Sequence, residues 1–220
     1  MSRKPVVTVI VAAHNEEKFI GRCIRSLLAQ SFPRELFEIL VVNDGSNDRT
    51  KYALELFKED LTVIHNSKNI GLPGSLNKAI HNTKTSYFVR VDADDFVSNN
   101  FLLSLYDFIS QNKYMDAVAC DYNIIDDKEN ILSRNSCIDN PIACGIMFNT
   151  DQIVKIGLYD EEFLLHEERD LRIRFLKEYT IYRLELPLYR YRQHDNNITN
   201  NKESMDFHMS QLISKHNLNK

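Results

Sequence analysis

Asp92, Ala93, Asp94 and Asp95 close an apolar run that begins at Tyr87, placing three carboxylates at one strand end. That much negative charge in one place is costly unless a cation, hydrogen bonds or solvent compensates it. An all-oxygen ligand set suits a hard divalent ion, Mg²⁺ or Mn²⁺, which in turn holds a diphosphate. The chemistry implied is nucleotide-dependent group transfer. Taken alone, the same residues fit an acidic turn after a strand equally well, because aspartate is common in turns.

Other polar clusters shift that balance. Ala12-Ala13-His14-Asn15-Glu16, Asn43-Asp44-Gly45-Ser46 and Asn69-Ile70-Gly71 each follow an apolar segment, and Glu167-Glu168-Arg169-Asp170 opens a stretch of helical spacing. Each has a plain structural reading beside the functional one. Asp44 or Asp48 can cap a helix starting near Arg49, and Glu16 or the 167–170 acids can answer a helix dipole. Glycine at position 71 permits close backbone approach to phosphate or sugar.

The elements that must position these clusters alternate in type. Residues 6–12 form a β-branched run with almost no polar interruption, as a central parallel strand covered on both faces requires. Ile20, Cys23, Ile24, Leu27 and Leu28 fall at helical spacing over 20–30. Strands are then expected at 37–42, 61–64 and 87–91, with helices at 51–58, 72–82 and 101–111. This order predicts an α/β, Rossmann-like, doubly wound and mostly parallel sheet whose ligand site lies at the carboxyl ends of the strands. After about residue 117 the pattern becomes a smaller mixed region: strands at 117–125 and 131–133, helices at 150–156 and 167–177, and paired strands at 181–184 and 188–193. A C-terminal helix follows over about 201–220. Its apolar Met205, Phe207, Met209, Leu212 and Ile213 suit core packing first, then a partner or a membrane surface.

Composition bounds the reading. With 220 residues, 43% of them apolar, the chain can bury one sizeable core as a single domain over 1–220. The donor half is expected at about 1–116 and the acceptor and catalytic half at about 117–200. Four cysteines without a CxxC pair point to reduced thiols, and Cys144, in apolar company, reads as a buried thiol rather than a nucleophile. A formal charge of −4 argues against nucleic-acid binding. No membrane span or leader is expected, so the reading is cytoplasmic, extending to the inner face of the membrane by peripheral association.

The ordered set 9–16, 26–31, 38–50, 69–72 and 92–95 resembles family 2 glycosyltransferases of the GT-A fold. The likeness covers most of the chain, and its specificity lies in five motifs in the right order. It implies inverting transfer of a sugar from a nucleotide donor, with UDP-sugar the leading candidate, to a hydroxyl of a saccharide, lipid-linked or protein-linked glycan acceptor. It further implies that backbone at Ala12, Ala13 and His14 lines the nucleotide pocket, that Glu16 helps hold ribose or base, and that Asp44 accepts the N3 hydrogen of uracil. Asn69 and Gly71 approach phosphate or sugar. Asp92 and Ala93 sit at the ribose, Asp94 coordinates Mn²⁺ or Mg²⁺ together with Asp92, and Asp95 binds metal or orients the sugar.

The resemblance also has departures. Leu76 stands where many relatives carry an arginine, which removes one diphosphate ligand; Lys68 or Lys78 is a substitute, with a solvated lysine the plainer reading of each. The family's Glu-Asp pair is Glu167-Glu168 here; Glu168 falls on the base, with Glu167 the second candidate. His194 falls where relatives bring a histidine to the diphosphate or metal, and Arg192 to phosphate; an ordinary loop role suits His194 as well. Two other classes stay open. A nucleotidyltransferase would need a glycine-rich basic loop at 12–17, which holds neither glycine nor arginine. A non-catalytic nucleotide-sugar or glycan-binding module would follow if glutamate at 168 could not replace aspartate. The sequence leaves sugar, acceptor and oligomeric state unspecified.

Overall fold

The computed structural model describes residues 4–112, 114–193 and 202–218, with the backbone alone for 202–204. Among these, β1 (Val7–Ala13), β2 (Phe37–Asp44), β3 (Thr62–Asn66) and β4 (Tyr87–Arg90) run parallel in the order β3-β2-β1-β4. The sheet continues through β8 (Ile146–Asn149), β6 (Ala117–Ile125), β9 (Ile181–Arg192) and β5 (Phe96–Val97), while β7 (Ile131–Asn135) pairs with β6 beyond the end of β8. Parallel pairing on the donor side gives way to antiparallel pairing where β8 meets β4 and β6. One sheet therefore carries both halves.

Alternation along the strands builds two cores. Val7, Val9, Val11 and Ala13 of β1 face one side with Ile39 and Val41, against α1 (Ile20–Leu28) and α4 (Phe101–Ser110). Ile10, Leu40, Val42 and Phe88 face the other side, against Leu76, Ala79 and Ile80 of α3 (Leu72–Asn82) and Leu171 and Phe175 of α6 (Glu167–Phe175). Two-sided burial is why β1 reads as a continuous apolar run. Helices α2 (Thr50–Glu55), α5 (Thr150–Lys155) and α7 (Lys202–His216) complete the layers.

Three elements differ from the sequence expectation. The paired strands at 181–184 and 188–193 are one strand, β9, which runs parallel to β6 with its register shifting beside Pro187. Proline lacks the N–H a regular ladder needs, so it bends the pairing without ending the strand. β5 and β8, two and four residues long, are too short to show a period. The C-terminal helix packs on the core through Leu212 and His208 and leaves Phe207 exposed. No helix among the described residues is long and apolar enough to cross a membrane.

Candidate active site

The loops after β1, β2 and β4 converge with the start of α6 on a cavity of about 850 Å³, within the range of small-molecule sites. Its lining includes Ala12, Ala13, His14, Glu16, Asp44, Asn69, Gly71, Asp92, Ala93, Asp94, Glu167 and Glu168. Most of the residues singled out in the sequence thus share one space. Arg192 does not reach it, and His194 lies outside the described residues.

The base-side loops are interlaced by side chains. Asn15, at φ 59°, accepts from Asn47 N, while its own N–H donates to Ser46 Oγ. Glu16 N donates to Thr50 Oγ1 at 2.7 Å. Asp48 accepts from Thr50 N and Glu17 N, so it rather than Asp44 meets the first N–H of α2, one residue before the N-cap position at Arg49. Asp44 instead faces the turn before α3: Oδ1 accepts from Ile70 N at 2.9 Å and Asn66 Nδ2 at 2.8 Å, and Oδ2 from Gly71 N at 3.0 Å. The carboxylate that resemblance assigns to the base thereby also shapes the phosphate-side turn. Gly45, at φ +63°, allows this close approach, since a Cβ there would collide with the backbone of Lys68 and Asn69. His14 Nδ1 donates to Asp44 O at 2.7 Å, leaving Nε2 to accept from Asn15 Nδ2.

The acidic cluster divides by environment. Asp95 is buried; Oδ2 accepts from the Tyr189 hydroxyl at 2.7 Å and Oδ1 from Arg192 N at 2.7 Å. Burial, then Asp94 and Asp92, push its carboxyl well above the usual carboxylate range. It pins β9 to this loop. Asp92 accepts from Arg90 Nε at 2.7 Å and Nη2 at 3.2 Å, and from the Cys144 thiol at 2.8 Å. Burial, and after it the charge of Asp92, hold that thiol well above its ordinary pKa, so it is a donor and not a nucleophile. Asp94 lines the cavity, and its main-chain carbonyl accepts from Arg192 Nε at 2.9 Å.

Whether these residues fit a divalent ion is tested by Glu16. Burial first, then the charges of Asp94 and Asp92, push its carboxyl from 4.5 to about 8. Glu16, Asp92 and Asp94 line the same cavity, and their carboxylate oxygens are the ligand type a hard cation takes. Asp92, Asp95 and Cys144 also bring ligand atoms within 4.8 Å of one another. That set suits Mg²⁺ or Mn²⁺ less well, because the thiol is soft and both Asp95 oxygens already accept hydrogen bonds.

Glu167 and Glu168 open α6 after His166, whose left-handed φ of 63° turns the chain into the helix. Glu167 is buried against Arg90, with Oε1 at 2.9 Å from Nη1. Its carboxyl is raised above the ordinary range by burial, against the pull of Arg90. Glu168 keeps 28% of its side chain exposed and has Arg169 at 3.8 Å. Met205 of α7 lines the cavity, and His166 Nε2 donates to its carbonyl at 3.2 Å.

One phosphate-side expectation is corrected. Arg192 donates to the carbonyls of Asp94, Asp126 and Asp127 and stacks on Phe19, so it ties loops together rather than facing the cavity. Leu76 is buried in the core, and Lys78 donates to Asn66 Oδ1 at 2.6 Å. Neither Lys68 nor Lys78 lines the cavity; its flexible cations are Lys18 and Arg169. Sequence reasoning missed Arg90, whose only signal is a charge inside an apolar run.

An open sheet that is parallel beside β1, with a carboxylate-lined cavity at its strand ends, defines a GT-A-type α/β protein. The chain matches Glycosyl transferase family 2 over residues 8–168 and belongs to that family. It is 31% identical over 183 residues to a glycosyltransferase of Haemophilus influenzae, covering 75% of this chain and 56% of that protein. The poly(ribitol-phosphate) beta-glucosyltransferase of Bacillus spizizenii is 34% identical over 111 residues, 49% of this chain and 18% of its own length. Among solved structures, S. aureus TarS 1-349 in complex with UDP superimposes with a TM-score of 0.78 at 20% identity, covering 96% of this chain and 65% of that one. The mannosyltransferase PcManGT from Pyrobaculum calidifontis, in complex with GDP-Man and Mn²⁺, gives 0.77 at 18% identity, with 100% and 66% covered. At such identities the likeness is one of fold. The chain spans little more than half the length of the Haemophilus relative.

Proposed function

We propose that this chain, as one GT-A unit, transfers a sugar from a UDP-sugar to an acceptor hydroxyl with inversion at the anomeric carbon. The acceptor class is a saccharide, a lipid-linked saccharide or a protein-linked glycan, and the place of action is cytoplasmic, at the inner face of the membrane where the acceptor is lipid-linked. One observation carries the reading: Asp44, Asp94 and Glu168, from three separate segments, line the same cavity of about 850 Å³.

In this scheme Asp44 reads the uracil edge, and Asn69 and Gly71 border the diphosphate. Asp94 and Asp92 hold Mn²⁺ or Mg²⁺, whose chemistry when bound is to neutralise charge on the departing diphosphate. Glu168 takes the proton from the acceptor hydroxyl as that oxygen attacks the anomeric carbon, and the carbon–oxygen bond to the diphosphate breaks on the opposite face. Glu167, held by Arg90, orients the helix start. Support for UDP comes from the TarS structures, solved in complex with UDP and UDP-GlcNAc.

The test is a panel of UDP- and GDP-sugars with Mn²⁺, read by thermal shift and then by transfer to saccharide acceptors. A Mn²⁺-dependent shift specific to one UDP-sugar, with a product of inverted anomeric configuration by NMR, is the expected outcome. Preference for a GDP-sugar would reject the UDP reading. Retained configuration would reject Glu168 as the base of a single displacement. Nucleotide-sugar binding without transfer to any acceptor would favour a binding module.

A further inference from the structure

The transfer scheme gives no role to Arg90 itself beyond holding Glu167. It is the last residue of β4, 4% exposed, and the backbone around it is fixed: Arg90 pairs with Ile10 of β1, and Gly145 N donates to its carbonyl at 3.2 Å. Its guanidinium divides between two acids far apart in the chain. Nε and Nη2 hold Asp92 at 2.7 and 3.2 Å, and Nη1 holds Glu167 at 2.9 Å, 77 residues further on. Asp92 belongs to the donor side; Glu167 precedes the proposed base at the start of α6. A planar fork with several fixed donors can hold both at once, whereas an ammonium is a point charge on a flexible stem.

We propose that Arg90 is a positioning residue that couples the two sides of the cavity, sharing one buried positive charge between donor-side Asp92 and Glu167 of the base helix. The inference rests on the glycosyltransferase reading above. Its consequence is electrostatic. With Glu167 ionised, part of the Arg90 charge is answered there, and Asp92 keeps more of its own for a cation. Without that partner, Arg90 faces Asp92 alone and competes with the cation for it. Burial makes such sharing strong, because solvent screens it poorly.

The test titrates UDP with and without Mn²⁺ by calorimetry into the full chain and into Glu167→Gln, Glu167→Asp, Arg90→Lys and the Arg90→Lys, Glu167→Gln double variant. Expected is a roughly tenfold loss of Mn²⁺-dependent UDP affinity in Glu167→Gln, the scale of coupling between groups in one buried network. Metal-free UDP affinity stays unchanged, because that term belongs to Asp44. Glu167→Asp restores most of the affinity, since the charge returns even if packing is poorer. In the Arg90→Lys background, Glu167→Gln costs less than about twofold more, within the scatter of independent sites. Unchanged Mn²⁺-dependent affinity in Glu167→Gln would overturn the coupling, as would a loss in Glu167→Asp equal to that in Glu167→Gln, or full additivity in the double variant. Should Glu167→Gln not fold, the comparison of Arg90→Lys with Glu167→Asp decides: weaker Mn²⁺-dependent affinity in the lysine variant alone upholds the coupling, and equal affinities overturn it. Absence of any Mn²⁺-dependent UDP binding in the unaltered chain would instead reject the donor reading itself.

Discussion

Arg90 Nη1 lies 2.9 Å from Glu167 Oε1, and this one contact separates two neighbouring acids into different environments. Glu167 is 6% exposed in its side chain and paired; Glu168 is 28% exposed. A base must reach the acceptor hydroxyl, so Glu168, more exposed and with the distant Arg169 contact at 3.8 Å, is the better placed. Glu168→Gln is expected to lower turnover on the order of 10²-fold or more, with UDP-sugar affinity nearly unchanged, because the loss falls on the transition state. Single-turnover transfer beside donor titration checks it. Normal transfer by Glu168→Gln with strong impairment of Glu167→Gln would move the base to Glu167.

Asp44 serves the nucleotide and the turn together. Asp44→Ala takes the acceptor from Ile70 N, while Gly71 N keeps Asn69 Oδ1 at 2.8 Å, so UDP affinity should fall with or without metal, and stability should fall by about 1 kcal/mol. Asp94→Ala should abolish only the Mn²⁺-dependent part of UDP binding. Calorimetry showing unchanged UDP affinity in both variants would reject the donor-site assignment.

The donor side was legible in the sequence because its signals are local. β1, β2 and β4 are apolar runs, and their polar clusters follow directly, so the strand-end rule places them together without knowledge of long-range contacts. What was not legible depends on distant partners. Arg90 sits in an apolar run and is explained only by Asp92 and Glu167. Arg192 resembled a phosphate ligand, but the carbonyls of Asp126 and Asp127 arrive from another turn to claim its guanidinium. β8 is four residues long, and its place between β4 and β6 comes from pairing rather than pattern.

Glu16 gives the site a pH dependence. Its carboxyl is pushed from 4.5 to about 8 by burial, then by Asp94 and Asp92, so the folded chain holds a proton that the unfolded chain releases between those values. Its contribution to stability is therefore fully present below pH 4.5 and is lost as pH rises through about 8. A cation held by Asp94 favours the ionised form, so Mn²⁺ binding should release protons and strengthen as pH rises toward that value. Calorimetry in buffers of different ionisation enthalpy counts the protons. Glu16→Gln should reduce the count and flatten the pH slope; an identical count in the variant would mean that the proton comes from elsewhere.

The last prediction concerns Asp170, which anchors α7 to α6. Its buried carboxylate accepts from Arg174 Nε at 2.8 Å, from Lys215 Nζ at 2.7 Å and from His216 Nε2 at 2.8 Å. Burial raises its pKa, but the hydrogen bonds from Lys215, Arg174 and His216 prevail and hold it below the ordinary 3.8. A depressed folded value contributes stability that is present above the unfolded pKa and lost as pH falls through the folded one. Asp170→Asn should therefore destabilise the protein at neutral pH by roughly 1–3 kcal/mol, the scale of hydrogen bonds to a charged group, because Lys215 keeps Asp160 and Arg174 keeps the carbonyls of Ile156 and Leu158. The gap between the variant and the unaltered chain should narrow as pH drops below 3.8, where the native carboxyl itself takes up a proton. Urea unfolding at pH 7 and near pH 3 measures both gaps. Because α7 also brings Met205 to the cavity and accepts the His166 hydrogen bond, the same variant should expose α7 to limited proteolysis and weaken substrate binding at the acceptor side before donor binding suffers. A gap that stays constant with pH would show that Asp170 holds α7 by shape and not by charge.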